Sequence, residues 1–360
     1  MNRGLRGLHG LRGFKNTVLR VIRLIRVIRG FKTLPRILLV GLLALSACKR
    51  RTAEPLATPG DAAPQATPLA EAKKPQPPLV PEIWKEFSGE KAFDAARQQV
   101  EVGPRPSGSP QLEKARVLIE EGLRRAGWSV ERQTFTGETP RGTIQFANLI
   151  GRFPASAGKP APTNTQRAIV CSHYDTKRFS TIRFVGASDG ASSTGALLEL
   201  ARVLALDPAF AAQIELVFFD GEEAVVQYTD TDGLYGSRHY ATQLREKGRA
   251  AQFKLAILWD MIGDRDYSIT LPPDSPPALA AGIFASAEAL RVRESFRYLD
   301  RGILDDHVPL QSIARIPAID LIDFDYLAWH TADDTLERIA PESLQKTGAV
   351  TLHYLRQTLK

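Results

Sequence analysis

Apolar and polar positions along the chain fall into two periods. Helical spacing predicts helices over 90–100 and 110–126, the second with Ala115, Leu118, Ile119 and Leu123 at i, i+3, i+4, i+8. Ser109 precedes Pro110 as an N-cap, and Gly127 stops the helix. The same period predicts helices from near Ser192 (with Ala196, Leu197, Leu200, Ala201 and Leu204), around 237–247, over 276–290 and over 341–359, and a short one opening at 304–307. Between them lie short runs rich in β-branched and aromatic residues, read as strands: 128–135 and 143–153, which form a candidate hairpin, then 167–172, 214–219, 253–259 and 316–322. Strands that alternate with helices predict an α/β fold with a mostly parallel mixed central sheet and helices on both faces. No internal repeat interrupts the pattern.

Residues 1–48 do not follow it. The stretch 1–47 holds ten Lys and Arg and no acid, then an apolar run over 37–44 leads into Leu45-Ser46-Ala47-Cys48. A basic flank, a short apolar core and small residues before a break are the layout of a secretory signal, and the run is short for a membrane span. It resembles the lipobox of bacterial lipoproteins, which implies that the thiol of Cys48 is lipidated and anchors the chain to a membrane. An ordinary signal anchor with an incidental cysteine is the alternative. The formal net charge of +7 belongs to this leader, because the remainder carries 37 bases against 40 acids. No nucleic-acid partner is therefore expected. Residues 49–80, rich in Pro and Ala, cannot bury a core and read as a linker. That leaves 81–360 as one catalytic α/β domain. With Cys48 lipidated only Cys171 remains, so no intramolecular disulfide is available.

Acids and histidines recur just past the predicted strands: His173 and Asp175, Asp189, Glu222 and Glu223, Asp260 and His330. One such residue is background, since loops collect polar side chains for solvation. A set at successive strand ends is different, because open α/β sheets bind their ligands beyond the carboxyl ends of the strands. Imidazole nitrogen and carboxylate oxygen are the ligand types of catalytic zinc. Adjacent carboxylates divide naturally into a ligand, held ionised by the cation, and a base tuned toward neutrality.

Phe219-Asp220-Gly221-Glu222-Glu223, His173-Tyr174-Asp175, Gly186-Ala187-Ser188-Asp189 and Trp329-His330-Thr331 resemble, in order and spacing, the zinc-dependent glutaminyl cyclases of the animal type, which are similar to the two-zinc aminopeptidases. The similarity runs from about Gly103 to the C-terminus. It implies a zinc aminopeptidase-like fold and the conversion of N-terminal glutamine on peptides or proteins to pyroglutamate with loss of ammonia. It implies one Zn2+ on Asp189, Glu223 and His330, with Glu222 as general acid and base. Asp260 and Asp305 would relay or stabilise the proton, Asp260 being free to hydrogen-bond with Glu222, and Trp329 would wall the substrate pocket. The alternative is an exported two-zinc aminopeptidase: His173, Asp189 and Asp260 on one ion, Asp189, Glu223 and His330 on a second, and Glu222 activating water between metals about 3.5–4 Å apart.

The segment Ala224 to Asp232, Trp329 before the metal histidine, and the pair Asp305-Asp306 before His307 favour the cyclase. One departure stands against full transfer: the cyclases carry a histidine where this chain has Asp320. A non-catalytic binding domain on the same scaffold ranks last, because the ligands and base are intact. His173 and Asp175 are expected to be structural in the one-metal reading. His239 and His353 read as surface or packing residues, His307 as hydrogen-bonded within its turn, Glu215 as solvated or paired, and Asp220 as an acceptor for donors of its turn. The chain is expected to be a monomer, exported and anchored through Cys48 on the periplasmic or outer side of a membrane.

Overall fold

The computed structural model describes residues 82–154 and 166–359. The predicted leader and linker lie outside those residues, as does most of the 154–166 loop. Helices α1 (Gly89–Val102) and α2 (Pro110–Arg125) lead into an antiparallel hairpin of β1 (Ser129–Thr139) and β2 (Gly142–Arg152). The chain continues through β3 (Arg167–His173), a π-helical turn (Ala187–Ser192), α3 (Ser193–Leu204), a one-turn helix α4 (Pro208–Ala211) and β4 (Ile214–Phe219). Then come α5 (Tyr235–Glu246), β5 (Phe253–Asp260), β6 (Ile269–Leu271), α6 (Pro277–Ala289), β7 (Phe296–Tyr298), α7 (His307–Ser312), β8 (Ala318–Ile322) and α8 (Pro341–Thr358).

The eight strands form one sheet in the order β1-β2-β4-β3-β5-β8-β6-β7. Its centre, β4-β3-β5-β8, is parallel, and antiparallel pairs join the β1-β2 hairpin to β4 and β6 to β8. This is the predicted mixed, mostly parallel sheet. Alternation along the central strands divides the core in two. Val170, Leu216, Phe218, Ile257 and Trp259 face a layer made by α2, α3, α6 and α8. Ile169, Cys171, Val217, Phe219 and Leu258 face α5 and α7 on the other side. Full burial of each Leu, Ile or Phe in these layers stabilises the fold by about 1.5–3 kcal/mol.

Local chemistry sets the element ends. The Ser109 hydroxyl accepts from the amide of Leu112 at 3.1 Å, so the predicted N-cap of α2 is present. Leu112, Ala115, Ile119 and Leu123 form its buried stripe. The elements absent from the sequence reading are the smallest ones. β6 and β7 have three residues each and α4 has four, too few to display a period.

Candidate active site

The parallel centre of the sheet brings the site together. His173 ends β3 opposite Phe219, the last residue of β4, and Asp260 ends β5 opposite Ile322, the last of β8. Glu222 and Glu223 therefore leave β4, and His330 leaves β8, at the same edge. Two backbone features sharpen the delivery. Gly221 turns the chain at φ +73, and a Cβ there would meet the Phe146 ring at 2.6 Å, so the turn before the glutamate pair requires glycine. His330 itself sits at φ 56, a strained conformation for a side chain of its size, of the kind that clusters at functional sites.

The buried Asp175 carboxylate then fixes the pair by accepting from the amides of Glu222 at 3.3 Å and Glu223 at 3.4 Å. Asp334 does the same for Asp189, accepting from the amides of Ser188 at 2.7 Å and Asp189 at 3.1 Å, and from the Tyr326 hydroxyl. Arg105, fully buried, donates to the carbonyls of Tyr174, Val185 and Gly186, which closes the loop between β3 and the Asp189 turn. Burial lowers its pKa to about 10, with Asp189, Asp175 and Asp334 opposing that loss.

Asp189, Glu223 and His330 converge. His330 Nε2 lies 3.0 Å from Glu223 Oε1 and 3.4 Å from Asp189 Oδ2. Asp189 also faces His173, whose Nε2 lies 3.2 Å from Asp189 Oδ1 and 3.1 Å from Asp260 Oδ1. Burial works to raise the Asp189 pKa, but the two histidines hold it below the usual carboxylate range. Burial also disfavours protonated His330, yet Asp189 and Glu223 raise its pKa to about 10. Glu222 is pushed well above the ordinary range by burial and then by the charge of Glu223. Asp305 is pushed up to about 7 by burial and by Asp260.

A cation fits this arrangement. Within each of the groups Asp189-Glu223-His330 and His173-Asp189-Asp260 the ligand atoms lie within 4.8 Å of one another, and Asp189 Oδ2 is buried with no hydrogen-bond donor. The N, O, O sets are those of catalytic zinc.

Beside them opens a cavity of about 280 Å³ lined by Asp189, Glu222, Glu223, Asp260, Asp305 and His330 with apolar walls from Met261, Ile303 and Phe324. Trp329 also lines it and stacks on the His330 ring with centroids 4.4 Å apart. All seven predicted catalytic, pocket and ligand residues thus meet in one place.

Several details differ from the sequence reading. Asp260 bonds to His173, and Glu222 instead accepts from Tyr228, whose hydroxyl lies 2.7 and 2.8 Å from its two carboxylate oxygens. Asp220 takes one backbone donor, the Ala147 amide of β2, together with Ser107 and Arg116, because its carboxylate points across the sheet away from its own turn. Glu215, by contrast, takes the paired one of its two expected states, fully buried among Arg152, Arg249 and Tyr240. His307 reaches outside its turn to Asp274 at 3.2 Å. His239 and His353 do pack as expected, on Phe135 and Trp84. Tyr228, Asp334, Arg105 and Lys177 were not singled out by the sequence, since only the folded loops bring them to the ligands.

The sequence pattern of Peptidase family M28 matches residues 148–355. A glutaminyl-peptide cyclotransferase-like protein of Bos taurus is 30% identical over 285 residues, which cover 71% of this chain and 72% of that protein. The crystal structure of an Acidobacteriales bacterium glutaminyl cyclase superposes with a TM-score of 0.69 at 31% identity, covering 81% of this chain and 99% of the other. A Zn-dependent exopeptidase from Parabacteroides distasonis superposes with a TM-score of 0.67 at 26% identity, over 77% of this chain and 99% of that one.

Proposed function

From the premise that the chain belongs to peptidase family M28 and, within it, to the glutaminyl cyclases, we propose how its residues divide the reaction among them. The enzyme is a glutaminyl-peptide cyclotransferase: an N-terminal glutaminyl residue becomes pyroglutamate and ammonia leaves. Asp189, Glu223 and His330 would hold one Zn2+, which would supply a Lewis acid for the γ-carboxamide.

One observation carries the one-ion reading. Asp189, Glu223 and His330 all line the cavity, whereas His173 does not and is fully buried. A catalytic zinc needs a coordination position open to substrate, and the first group alone has all three of its members on the cavity.

The α-amine and the carboxamide belong to the same residue, so the cavity has only to hold the folded rotamer for the ends to meet. Trp329, Phe324 and Met261 supply the apolar walls that hold it and exclude water. As the α-nitrogen forms its bond to the γ-carboxamide carbon, Glu222 takes the amine proton. It returns that proton to the carboxamide nitrogen as the carbon–nitrogen bond breaks, so ammonia leaves neutral and the carboxylate is regenerated. Asp260 and Asp305 also line the cavity, and Asp305, pushed up to about 7 by burial and by Asp260, can hold a proton near neutral pH.

The partners that follow are peptides or proteins beginning with Gln. The enzyme is further proposed to be a monomer, and to be exported and anchored through lipidated Cys48, the latter resting on the sequence of residues 1–48.

Incubating the purified protein with one Gln-initiated and one Leu-initiated peptide, with and without a zinc chelator, tests the assignment. The expected result by mass is loss of ammonia from the Gln peptide alone, abolished by the chelator. Release of the whole Leu residue would instead establish the two-zinc aminopeptidase and bring His173 and Asp260 in as ligands.

A further inference from the structure

One carboxylate gathers much of the segment between the glutamate pair and α5. Asp232 accepts from the amides of Val225 at 2.7 Å, Val226 at 2.9 Å and Gln227 at 3.0 Å, and from the Tyr235 hydroxyl at 3.0 Å. The Leu234 amide meanwhile donates back to the Glu222 carbonyl at 2.9 Å. The loop is thereby folded over the glutamates and carries Tyr228 inward.

Two neighbours define the position of the Tyr228 ring. Gly233, at φ +105, leaves space for it, since a Cβ there would lie 2.7 Å from the ring. The Lys177 ammonium also packs on it, 4.8 Å from the ring centroid, while donating to the Ala224 carbonyl at 2.8 Å. So fixed, the phenol oxygen lies 2.7 and 2.8 Å from the Glu222 oxygens and 3.3 Å from Glu223 Oε2, at the wall of the cavity.

We propose that Tyr228 is a positioning residue for the cyclisation: its hydroxyl fixes the plane of the Glu222 carboxylate so that one oxygen meets the substrate amine. The proposal rests on the assignment of Glu222 as proton carrier. A glutamate carboxylate rotates in a broad, roughly two-fold well about its last torsion, and among the described residues no Lys, Arg or His forms an ion pair with Glu222 to stop it. A phenol with one proton donates to one oxygen at a time and gives a charge-assisted bond. While that bond persists the other oxygen is free to receive the amine proton. Once Glu222 is protonated, the phenol stays on the unprotonated oxygen, and the proton is delivered to the departing nitrogen from the position where it was collected. No proton is lost to Tyr228, and the hydroxyl ends the cycle as it began.

The test uses Tyr228→Phe, Glu222→Gln and the double variant, measured for kcat, KM, bound metal and thermal midpoint on a Gln-initiated peptide. The expected result for Tyr228→Phe is a kcat roughly 10- to 100-fold lower, the loss of one hydrogen bond to a charged group, with KM within about twofold. Bound metal and thermal midpoint should match the unaltered enzyme. In the Glu222→Gln background the same change should cost nothing further, because residues acting as a unit are not additive.

An unchanged kcat, a rise in KM alone, or a full additional loss in the Glu222→Gln background would each overturn the proposal. Loss of metal from Tyr228→Phe would also overturn it, by transferring the role to support of Glu223. Near-normal turnover in Glu222→Gln alone would instead sink the assignment of the base, which separates that failure from one of Tyr228.

Discussion

Asp320 shows what a single buried carboxyl does when the position lacks a base. It is fully buried, both oxygens lack a donor, and its nearest polar neighbours are Asp305 and His307, whose Nδ1 lies 3.6 Å away. Burial, then the charges of Asp305 and Asp260, push its pKa well above the ordinary value. Asp320 is therefore neutral in the folded protein across a range where the unfolded chain ionises it, above a pKa of about 3.9. The sign follows: the group costs stability above that value, and the cost grows with pH until the folded pKa is reached. Asp320→Asn, a neutral isostere, should raise the thermal midpoint, and by more at pH 7 than at pH 4. A midpoint difference that does not widen between those two pH values would mean that Asp320 is charged and needed so. The sequence made the substitution of the family histidine visible but not its surroundings. At this scale sequence legibility has a physical limit: Asp189, Glu222, Glu223 and His330 sit in motifs that name them. Asp334 and Tyr228 act on those residues through amides and loop folding that no spacing encodes.

Elements were legible where they were long enough to repeat, which is why the core strands and the longer helices were anticipated and the three-residue edge strands were not. The Glu215 network shows how those elements are tied together. From the middle of the sheet its carboxylate takes Arg152 Nε of β2 at 2.7 Å, Arg249 beyond α5 at 3.1 Å and the Tyr240 hydroxyl of α5 at 2.6 Å. Arg167 of β3 stands 3.6 Å away. Burial works to raise the Glu215 pKa, but Arg152, Tyr240 and Arg249 hold it below the ordinary value. For a depressed carboxyl the stabilisation is present above the unfolded pKa of about 4.3 and is lost as pH falls through the folded one. Glu215→Gln leaves half-buried guanidinium groups facing one another without their buried counter-charge and should cost about 3 kcal/mol at pH 7. That cost should shrink as pH falls below the unfolded value of about 4.3, because the unfolded carboxyl then takes up a proton that the folded one, held by its arginines, still excludes. Denaturant melts of both proteins at pH 7 and pH 3.5 check this, and an undiminished gap at the lower pH would mean that Glu215 contributes shape, not charge.

For the whole molecule the central question is how an acidic catalytic body comes to sit behind a basic leader. With ten bases and no acid in residues 1–47, and 37 bases against 40 acids in the rest, the chain's net charge of +7 says nothing about the surface that peptides meet. If the leader is a lipoprotein signal, cleavage before Cys48 removes every one of those ten charges, and the mature protein becomes slightly acidic. Membrane attachment must then come from acyl chains, since an acidic body is repelled by an anionic bilayer. This separates the lipoprotein from an uncleaved signal anchor, which would keep both the basic flank and its attraction to lipid. Expressed in a bacterium fed labelled palmitate, the full chain should take up label and partition with membranes, while Cys48→Ala should take up none. An unlabelled chain that stays membrane-bound with residues 1–47 intact would establish the anchor instead. In the lipoprotein case Cys171 is the one remaining cysteine, and an exported enzyme needs it to tolerate an oxidising compartment. Its complete burial and a pKa pushed well up by burial and by the Asp306 charge keep that thiol protonated and out of reach of oxidants.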